Sequence, residues 1–408
     1  MADRAESVGT VVIGAGQAGL ATSYELARRG LDHVVLERGR IGEAWRARWD
    51  SLCMVLPNWF NALPGFPYRG ADPDGFQTRD EWVADLERYA ASFACPLRTG
   101  VSVSAVAALP DGSFSLQTSA GALVAANVVV ATGSYQVPRV PAIAAGLADD
   151  IHQIHSAGYR NPAALPPGAV LVVGTGNSGS QIAEELTRAG RTVWLAVGYS
   201  GFPLRRYRGR DVFWWYYHAK LAPLLQRHGV NPAGFGNITG HDGGRALDLR
   251  RFAQDGVRLL GRIRAIDGAT IELAPDLAAS LAAIDRRTDA FRQAVDAHIE
   301  AAGLDAPADE PSPCARGNGA EMTGSPATLD LHAAGIASVI WATGFGWDLA
   351  WLRVPVLDAA GAPRNAAGLS PCVGLAFAGM SVADPRSTSI GHVGQEAERI
   401  ADAVASRA

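Results

Sequence analysis

The chain has few cysteines and no pair of them in a redox or metal-binding spacing. Its 408 residues include only Cys53, Cys95, Cys314 and Cys372, and none of these stands in a C-x-x-C arrangement. A disulfide reductase that works through a close cysteine pair is therefore not predicted, and neither is a metal site.

The chain also lacks a basic excess and a long apolar run. Its formal net charge is −4 at pH 7 and its pI is near 6.1, so no basic surface is available to recruit nucleic acid or anionic lipid. No window reaches the roughly 20 apolar residues of a membrane span, and residues 1–7 lack the apolar core of a signal peptide. We expect a cytoplasmic protein with no nucleic-acid or membrane partner.

What the chain does have is a glycine-rich turn near its start. Residues 11–13 are apolar and β-branched, as a buried parallel strand requires. After them, Gly14 permits a tight turn, Gly16 leaves room for a pyrophosphate close to the backbone, and Gly19 lets a helix pack on the strand. The start of that helix offers N–H groups and a positive dipole end. This pattern predicts a dinucleotide-binding unit.

Glu37 closes the next strand. A carboxylate at this position can accept both hydroxyls of a ribose, and it disfavours a 2′-phosphate. The first nucleotide is therefore predicted to be FAD or NAD rather than NADP.

The same strand–glycine turn–helix pattern occurs a second time, at Gly174, Gly176 and Gly179. Two such units in one chain predict two nucleotides bound at once. Val197 stands where Glu37 stands in the first unit, and Arg205 and Arg206 follow it. A 2′-phosphate requires that the acid is absent and that arginines lie nearby. This pattern therefore favours NADPH. A solvated basic loop is the alternative.

Other local patterns in the sequence also predict structure. Thr78 and Glu81 form a capping box that opens a helix, and two strands end in Ala-Thr-Gly, at residues 131–133 and 342–344. Residues 213–217 are five consecutive aromatics, which could wall an apolar pocket or cover a domain face.

The paired glycine fingerprints, the two Ala-Thr-Gly strand ends and the loop at Trp45 resemble the class B flavin-dependent monooxygenases. That group includes flavin-containing monooxygenases, Baeyer–Villiger enzymes and N-hydroxylases. The likeness is strongest to short bacterial flavoproteins labelled with a role in ion transport. It implies an α/β fold of two Rossmann-like domains. An NADPH-binding domain (161–324) would be inserted into an FAD-binding domain (1–160 and 325–408).

The resemblance also implies an activity. NADPH reduces FAD, dioxygen forms a C4a-hydroperoxyflavin, and one oxygen atom passes to a small-molecule substrate. His155 and Tyr159 match the end of the family's identifying motif, and a tyrosine in place of the tryptophan of Baeyer–Villiger enzymes favours a nitrogen or sulfur atom over a ketone. Dioxygen and the substrate are the expected partners, and a homodimer is the expected assembly.

The site residues follow from the fingerprints and the resemblance. Asn58 matches an asparagine that some relatives place near C4a and is the predicted catalytic residue. The predicted cofactor-binding residues are Gly14, Gly16, Gln17, Ala18, Gly19, Glu37, Arg38, Trp45, Val103, Ala131, Thr132, Gly133, Gly174, Gly176, Asn177, Ser178, Gly179, Arg205, Arg206 and Gln395.

Two other functions remain open at this point. The chain could be an NADPH-dependent flavin reductase or oxidase that transfers no oxygen, or a regulatory redox flavoprotein.

Overall fold

A computed structural model describes residues 5–219, 221, 225, 236–309, 325–380 and 389–408. The chain divides into two compact units. Unit 1 comprises Met1–Ala47, Pro57–Pro138 and Phe345–Ala408, and unit 2 comprises Arg48–Leu56 and Arg139–Gly344.

The described chain contains both β-strands and α-helices. The strands are β1 (Glu6–Ile13), β2 (His33–Glu37), β3 (Leu97–Thr99), β4 (Val103–Ala108), β5 (Phe114–Thr118), β6 (Gly121–Val130), β7 (Val137–Pro138), β8 (His152–His155), β9 (Ala169–Thr175), β10 (Val193–Ser200), β11 (Arg206–Tyr207), β12 (Arg210–Asp211), β13 (Ile238–Thr239), β14 (Arg245–Ala246), β15 (Arg258–Leu260), β16 (Ile263–Asp267), β17 (Thr270–Leu273), β18 (Thr328–Asp330), β19 (Ile336–Trp341), β20 (Phe345–Gly346), β21 (Leu352–Arg353) and β22 (Leu375–Phe377). The α-helices are α1 (Gln17–Arg28), α2 (Glu43–Arg46), α3 (Arg79–Ser92), α4 (Asn177–Arg188), α5 (Val212–His218), α6 (Leu249–Gln254), α7 (Leu277–Ala302) and α8 (Ile390–Ala405).

Unit 1 is built on one sheet with the strand order β21-β4-β5-β6-β1-β2-β3, and β22 pairs with β6. The central strand β1 runs parallel to β2 and β6, whereas β4, β5 and β6 form an antiparallel meander. Val11 and Val12 on β1 are fully buried, because the strand has covered faces on both sides. The first fingerprint therefore lies at the carboxyl end of the central parallel strand.

Unit 2 contains a five-stranded sheet, β15-β10-β9-β19-β8, in which every pair is parallel. A second, antiparallel sheet of three strands, β16-β17-β18, belongs to the same unit. The second fingerprint begins at the end of β9, whose residues 169–173 are all apolar and which lies at the centre of the parallel sheet. The predicted α/β class with two Rossmann-like units is confirmed.

The units divide at positions other than the boundaries predicted from the sequence. The compact units have bounds at 47/48, 56/57, 138/139 and 344/345, whereas the predicted domains, which stay a prediction, have bounds at 160/161 and 324/325. The reason is strand pairing: β8 and β19, assigned above to the first domain, hydrogen-bond into the parallel sheet of unit 2. The second Ala-Thr-Gly accordingly ends a strand of unit 2.

The aromatic run forms helix α5. Phe213, Trp215 and Tyr216 are buried, and the indole N–H of Trp215 donates to the carbonyl of Tyr207 at 2.7 Å. Of the two alternatives for this run, the burial favours the cover of a domain face over the wall of an apolar pocket.

Helix α3 begins at the predicted capping box. The Thr78 hydroxyl accepts the Glu81 amide, and the Glu81 carboxylate accepts the Thr78 amide at 2.8 Å. The helix then buries Trp82, Leu86 and Tyr89.

Removing this cap should destabilise unit 1 without changing its fold. For Thr78→Ala we expect the free energy of unfolding to fall by about 1 kcal/mol, because the Glu81 amide loses its acceptor. Urea unfolding followed by circular dichroism measures the change. Thr78→Ser, which keeps the hydroxyl, is the matched control, and an equal loss in both variants would contradict the capping explanation.

Candidate dinucleotide sites

The turn after β1 requires glycine at two positions for reasons of packing. Gly14 has a φ of +110°, and a Cβ there would lie 2.6 Å from the carbonyl oxygen of Ala131. A Cβ on Gly19 would lie 1.9 Å from the carbonyl oxygen of Gly14. Helix α1 can therefore approach β1 this closely only without those side chains.

The turn after β9 repeats this geometry in unit 2. Gly174 has a φ of +106° and its Cβ would lie 2.6 Å from the Ala342 carbonyl oxygen, while a Cβ on Gly179 would lie 1.9 Å from that of Gly174. In both units the alanine of an Ala-Thr-Gly strand end packs against the first glycine of the turn.

The middle glycines have no such packing reason. Gly16 and Gly176 have φ values of −84° and −72° with extended ψ, which any residue can adopt. A Cβ at either position would meet nothing within 4 Å. Each glycine thus leaves open space at a helix N-terminus, where a pyrophosphate needs close access to the backbone. Both turns fit a dinucleotide.

Glu37 lies beside the first turn, as predicted. One carboxylate oxygen accepts the Ala15 amide and the other accepts the Gly39 amide, each at 2.8 Å. Because a carboxylate offers about four acceptor positions, these bonds orient the group and leave capacity for ribose hydroxyls.

The corresponding place in unit 2 is apolar. Val197 is fully buried, and the end of β10 is tied to the turn through the Gly198 amide, which donates to the Thr175 hydroxyl at 3.3 Å. Thr175 is not among the predicted site residues. The signal for it in the sequence is that a threonine stands at the position that Ala15 occupies in the first turn.

Gln17 and Trp45 were predicted separately and the structure brings them together. The indole N–H of Trp45 donates to the side-chain oxygen of Gln17 at 3.0 Å. The Gly42 amide donates to the Ala15 carbonyl at 3.1 Å, which holds the loop before Trp45 against the turn.

Asn58 is buried and holds a neighbouring loop. Its side-chain N–H donates to the Asp72 carbonyl, and its side-chain oxygen accepts the Gln77 amide, both at 2.9 Å. The amide is therefore fixed in orientation by the 72–77 loop.

Asn177, at the first position of α4, also has a partner in the chain. Its side-chain oxygen accepts the Ile238 amide at 3.2 Å, and Gln181, one turn later, donates to the Ile238 carbonyl at 2.9 Å. The β13 segment thus lies along this face of α4.

The two arginines chosen for the 2′-phosphate differ sharply in environment. Arg205 is only 4% exposed, forms an ion pair with Asp211 at 2.8 Å and donates to the Val55 carbonyl at 2.7 Å. Burial lowers the pKa of Arg205 to about 10. These contacts argue against Arg205 as a phosphate ligand, because a phosphate would have to displace them. Arg206 is exposed; its guanidinium donates to the carbonyls of Gly244 at 3.0 Å and Gly243 at 2.8 Å, and its role as a phosphate ligand remains a prediction.

The remaining predicted residues are spread over unit 1 and the start of α4. Ala18 and Ala131 are buried, Gly133 and Val103 are half-buried, and Arg38, Thr132 and Gln395 are exposed; Ser178 in unit 2 is half-buried.

Comparison with known proteins places the chain in a family. A family model described as pyridine nucleotide-disulphide oxidoreductase matches residues 11–205. A CzcO-like oxidoreductase of Geobacillus kaustophilus is 34% identical over 397 residues, covering 96% of each chain. The chain belongs to the CzcO-like oxidoreductases. This membership confirms the resemblance to class B flavin monooxygenases. The comparisons also support the predicted cofactors, FAD and NADPH.

Two further likenesses extend the comparison beyond the CzcO-like family. Indole-3-pyruvate monooxygenase YUCCA1 of Oryza sativa subsp. japonica is 36% identical over 198 residues, which cover 46% of this chain and 47% of that protein. A flavin-containing monooxygenase from Stenotrophomonas maltophilia shares the fold, with a TM-score of 0.67 and 21% identity over 98% of this chain and 99% of that one.

The structure describes three of the four cysteines of this CzcO-like chain. Cys53, Cys95 and Cys372 take part in no disulfide, and Cys314 lies outside the described residues. No group of three or more potential metal ligands occurs among the described residues. No helix within the described ranges is long and apolar enough to cross a membrane.

His155, from the family motif, is buried and hydrogen-bonded to backbone groups. Its Nδ1 accepts the Ala157 amide at 3.1 Å and its Nε2–H donates to the Gly344 carbonyl at 3.0 Å. Burial lowers the pKa of His155, and the positive charge of Arg48 lowers it further. The neutral form fits these bonds, since a proton on Nδ1 would face the Ala157 N–H.

The open turns give a paired prediction for the cofactors. In Gly16→Val the new Cβ meets no protein atom within 4 Å, but the side chain enters the pyrophosphate space, so we expect purified protein with about 10-fold less FAD and an unchanged fold. Gly176→Val should keep FAD and lose reduction by NADPH. Flavin absorbance per chain and anaerobic reduction measure both. Loss of the same cofactor in both variants would contradict the two-site assignment.

The His155 pKa gives a prediction for pH. As the pH falls below about 6.5, the unfolded chain takes up a proton on His155 before the folded chain does, so stability declines. In His155→Gln we expect a smaller loss of thermal stability between pH 7 and pH 5. Part of the loss persists, because burial also lowers the pKa of His33. An unchanged pH dependence would contradict this account of His155.

Proposed function

We propose that the chain is an NADPH-dependent flavin monooxygenase. NADPH supplies two electrons, one atom of dioxygen is transferred to a small-molecule substrate, and the other leaves as water with uptake of a proton. The observation that carries the proposal is the pair of open glycine turns with different strand ends, Glu37 in one unit and Val197 in the other.

FAD is assigned to unit 1. The Gly16 backbone and the start of α1 would bind its pyrophosphate, and Glu37, already oriented by the Ala15 and Gly39 amides, would accept its ribose hydroxyls. Trp45, fixed by Gln17, is assigned to the flavin side of the site. When bound, FAD supplies the electron transfer and the oxygen chemistry.

NADPH is assigned to unit 2. The Gly176 backbone and the start of α4 would bind its pyrophosphate. The buried Val197 offers no carboxylate to repel a 2′-phosphate, and the exposed Arg206 is the proposed cation for it.

Asn58 is the proposed catalytic residue. Its two hydrogen bonds to the 72–77 loop fix the amide, and one side-chain N–H beyond that bond can be offered to a reacting group. An amide that is already held in one orientation can donate to a reacting group without first having to reorient.

The substrate class is proposed as a small molecule oxygenated at nitrogen or sulfur, with Tyr159 at the aromatic position of the family motif. The tyrosine is buried and donates to Glu185 at 2.9 Å. The partial match to an indole-3-pyruvate monooxygenase adds 2-oxo acids to the compounds to be tested. The proposed assembly is a homodimer.

Stopped-flow spectroscopy tests the activity. After anaerobic reduction by NADPH, mixing with dioxygen should give a lasting absorbance band of the C4a-hydroperoxyflavin. When NADP⁺ is removed, the lifetime of this species should become shorter. A panel of amines, sulfides and 2-oxo acids then identifies the compound that accelerates its decay. Direct return to oxidised flavin with stoichiometric hydrogen peroxide, with every compound, would favour the reductase or oxidase alternative. Very slow oxidation of NADPH under all conditions would favour a regulatory flavoprotein.

A further inference from the structure

Residues 48–56 interrupt unit 1 in the sequence but belong to unit 2 in the structure. We refer to them as the 48–56 segment. The chain leaves unit 1 after Ala47 and returns to it at Pro57. The segment therefore connects Trp45 with Asn58, the two residues assigned to the flavin side of the site.

The start of the segment is anchored by the residues that follow the family motif. The Asp50 amide donates to the Arg160 carbonyl, and the Arg160 guanidinium donates to the Arg48 carbonyl, both at 2.9 Å. The side-chain N–H of Asn161 donates to the Asp50 carboxylate at 2.7 Å. Three hydrogen bonds thus hold Arg48 and Asp50 at the start of the segment.

The end of the segment is anchored by Arg205. Its guanidinium donates to the Val55 carbonyl at 2.7 Å while paired with Asp211 at 2.8 Å. Asp211 is itself fixed, because it caps α5 by accepting the Phe213 amide at 2.9 Å. Between the two anchors, Leu52, Cys53 and Met54 are buried.

The β11–β12 hairpin explains why Arg205 reaches this place. The Val212 amide donates to the Arg205 carbonyl at 3.0 Å, and Arg206 pairs with Asp211 across the hairpin. Arg205 and Asp211 therefore flank the same turn, and their side chains meet in the interior. A buried cation placed between a carboxylate and a carbonyl is expensive to disrupt, because removing one partner leaves the other charge buried.

We propose that Arg205 is a positioning residue that fixes the 48–56 segment and, through the chain, the placement of Trp45 and Asn58. The proposal rests on the proposed function for the roles of those two residues. It gives a purpose to one sequence feature that cofactor binding did not explain, the first arginine of the run at positions 205, 206, 208 and 210.

Hydrogen exchange of the full-length, FAD-loaded protein tests the anchor directly. In Arg205→Met, peptides covering the 48–56 segment should exchange about 10-fold faster, the change expected when a buried charged hydrogen bond is lost. Arg205→Lys should recover part of the protection. Arg210→Met is the matched control, since Arg210 belongs to the same run but stacks on Trp214 with 4.2 Å between the guanidinium carbon and the ring centroid. It should leave exchange of the segment unchanged.

Binding of 2′,5′-ADP separates positioning from phosphate recognition. We expect Arg205→Met to bind this fragment within about 2-fold of the wild-type Kd, and to release more hydrogen peroxide per NADPH than wild type. Weaker binding of 2′,5′-ADP with unchanged exchange in the 48–56 segment would overturn the proposal and return Arg205 to the phosphate site. Unchanged exchange and unchanged peroxide release would overturn it as well.

Two further measurements separate a failure of the Arg205 proposal from a failure to fold and from a failure of the NADPH assignment. If Arg205→Met does not fold, Asp211→Asn keeps an acceptor for the Phe213 amide but removes the charge, and the same faster exchange is expected. If wild-type protein binds no 2′,5′-ADP, the NADPH assignment of unit 2 fails, while the exchange result still decides whether Arg205 anchors the segment.

Discussion

The close approach of a helix to a strand at each glycine-rich turn is the constraint on which both nucleotide sites depend. A Cβ on Gly19 or Gly179 would lie 1.9 Å from a backbone oxygen of its own turn, which no side chain can tolerate. The approach brings the N–H groups at the start of α1 and α4 to the carboxyl ends of β1 and β9. In an open α/β sheet this is where ligands bind. Neither site needs a cluster of titratable side chains, because the backbone and the helix dipole provide the binding surface for phosphate.

The two units use the same turn and differ where the second strand ends. In unit 1 the strand end is tied to the turn by a carboxylate, through Glu37 and the Ala15 amide. In unit 2 the tie runs the other way, from the Gly198 amide to the Thr175 hydroxyl, and the acid is replaced by a buried valine. The hydrogen bond between the strand end and the turn, which the acid provides in unit 1, is thus kept in unit 2 without a negative charge. This difference is the physical basis for assigning one nucleotide without a 2′-phosphate and one with it.

Features set by neighbouring residues were predictable from the sequence, and features set by distant contacts were not. The turns at Gly14 and Gly174, the capping box at Thr78 and the parallel strands followed from residue types at fixed spacings. The sheet membership of β8 and β19 did not, because it depends on pairing between segments far apart in the chain. Arg205 shows the limit most clearly. Its charge near the second fingerprint indicated phosphate, but a carbonyl 150 residues away in the sequence and a carboxylate six residues on hold it in the interior. Proximity in sequence cannot distinguish an arginine that faces solvent from one that faces the core.

Native mass spectrometry with FAD, NAD⁺ and NADP⁺ present together tests whether the chain has two different nucleotide sites, because it counts the nucleotides on each chain. We expect one FAD and one NADP⁺ per chain, with NAD⁺ excluded from the second site. A single nucleotide per chain, or NAD⁺ bound as readily as NADP⁺, would contradict it.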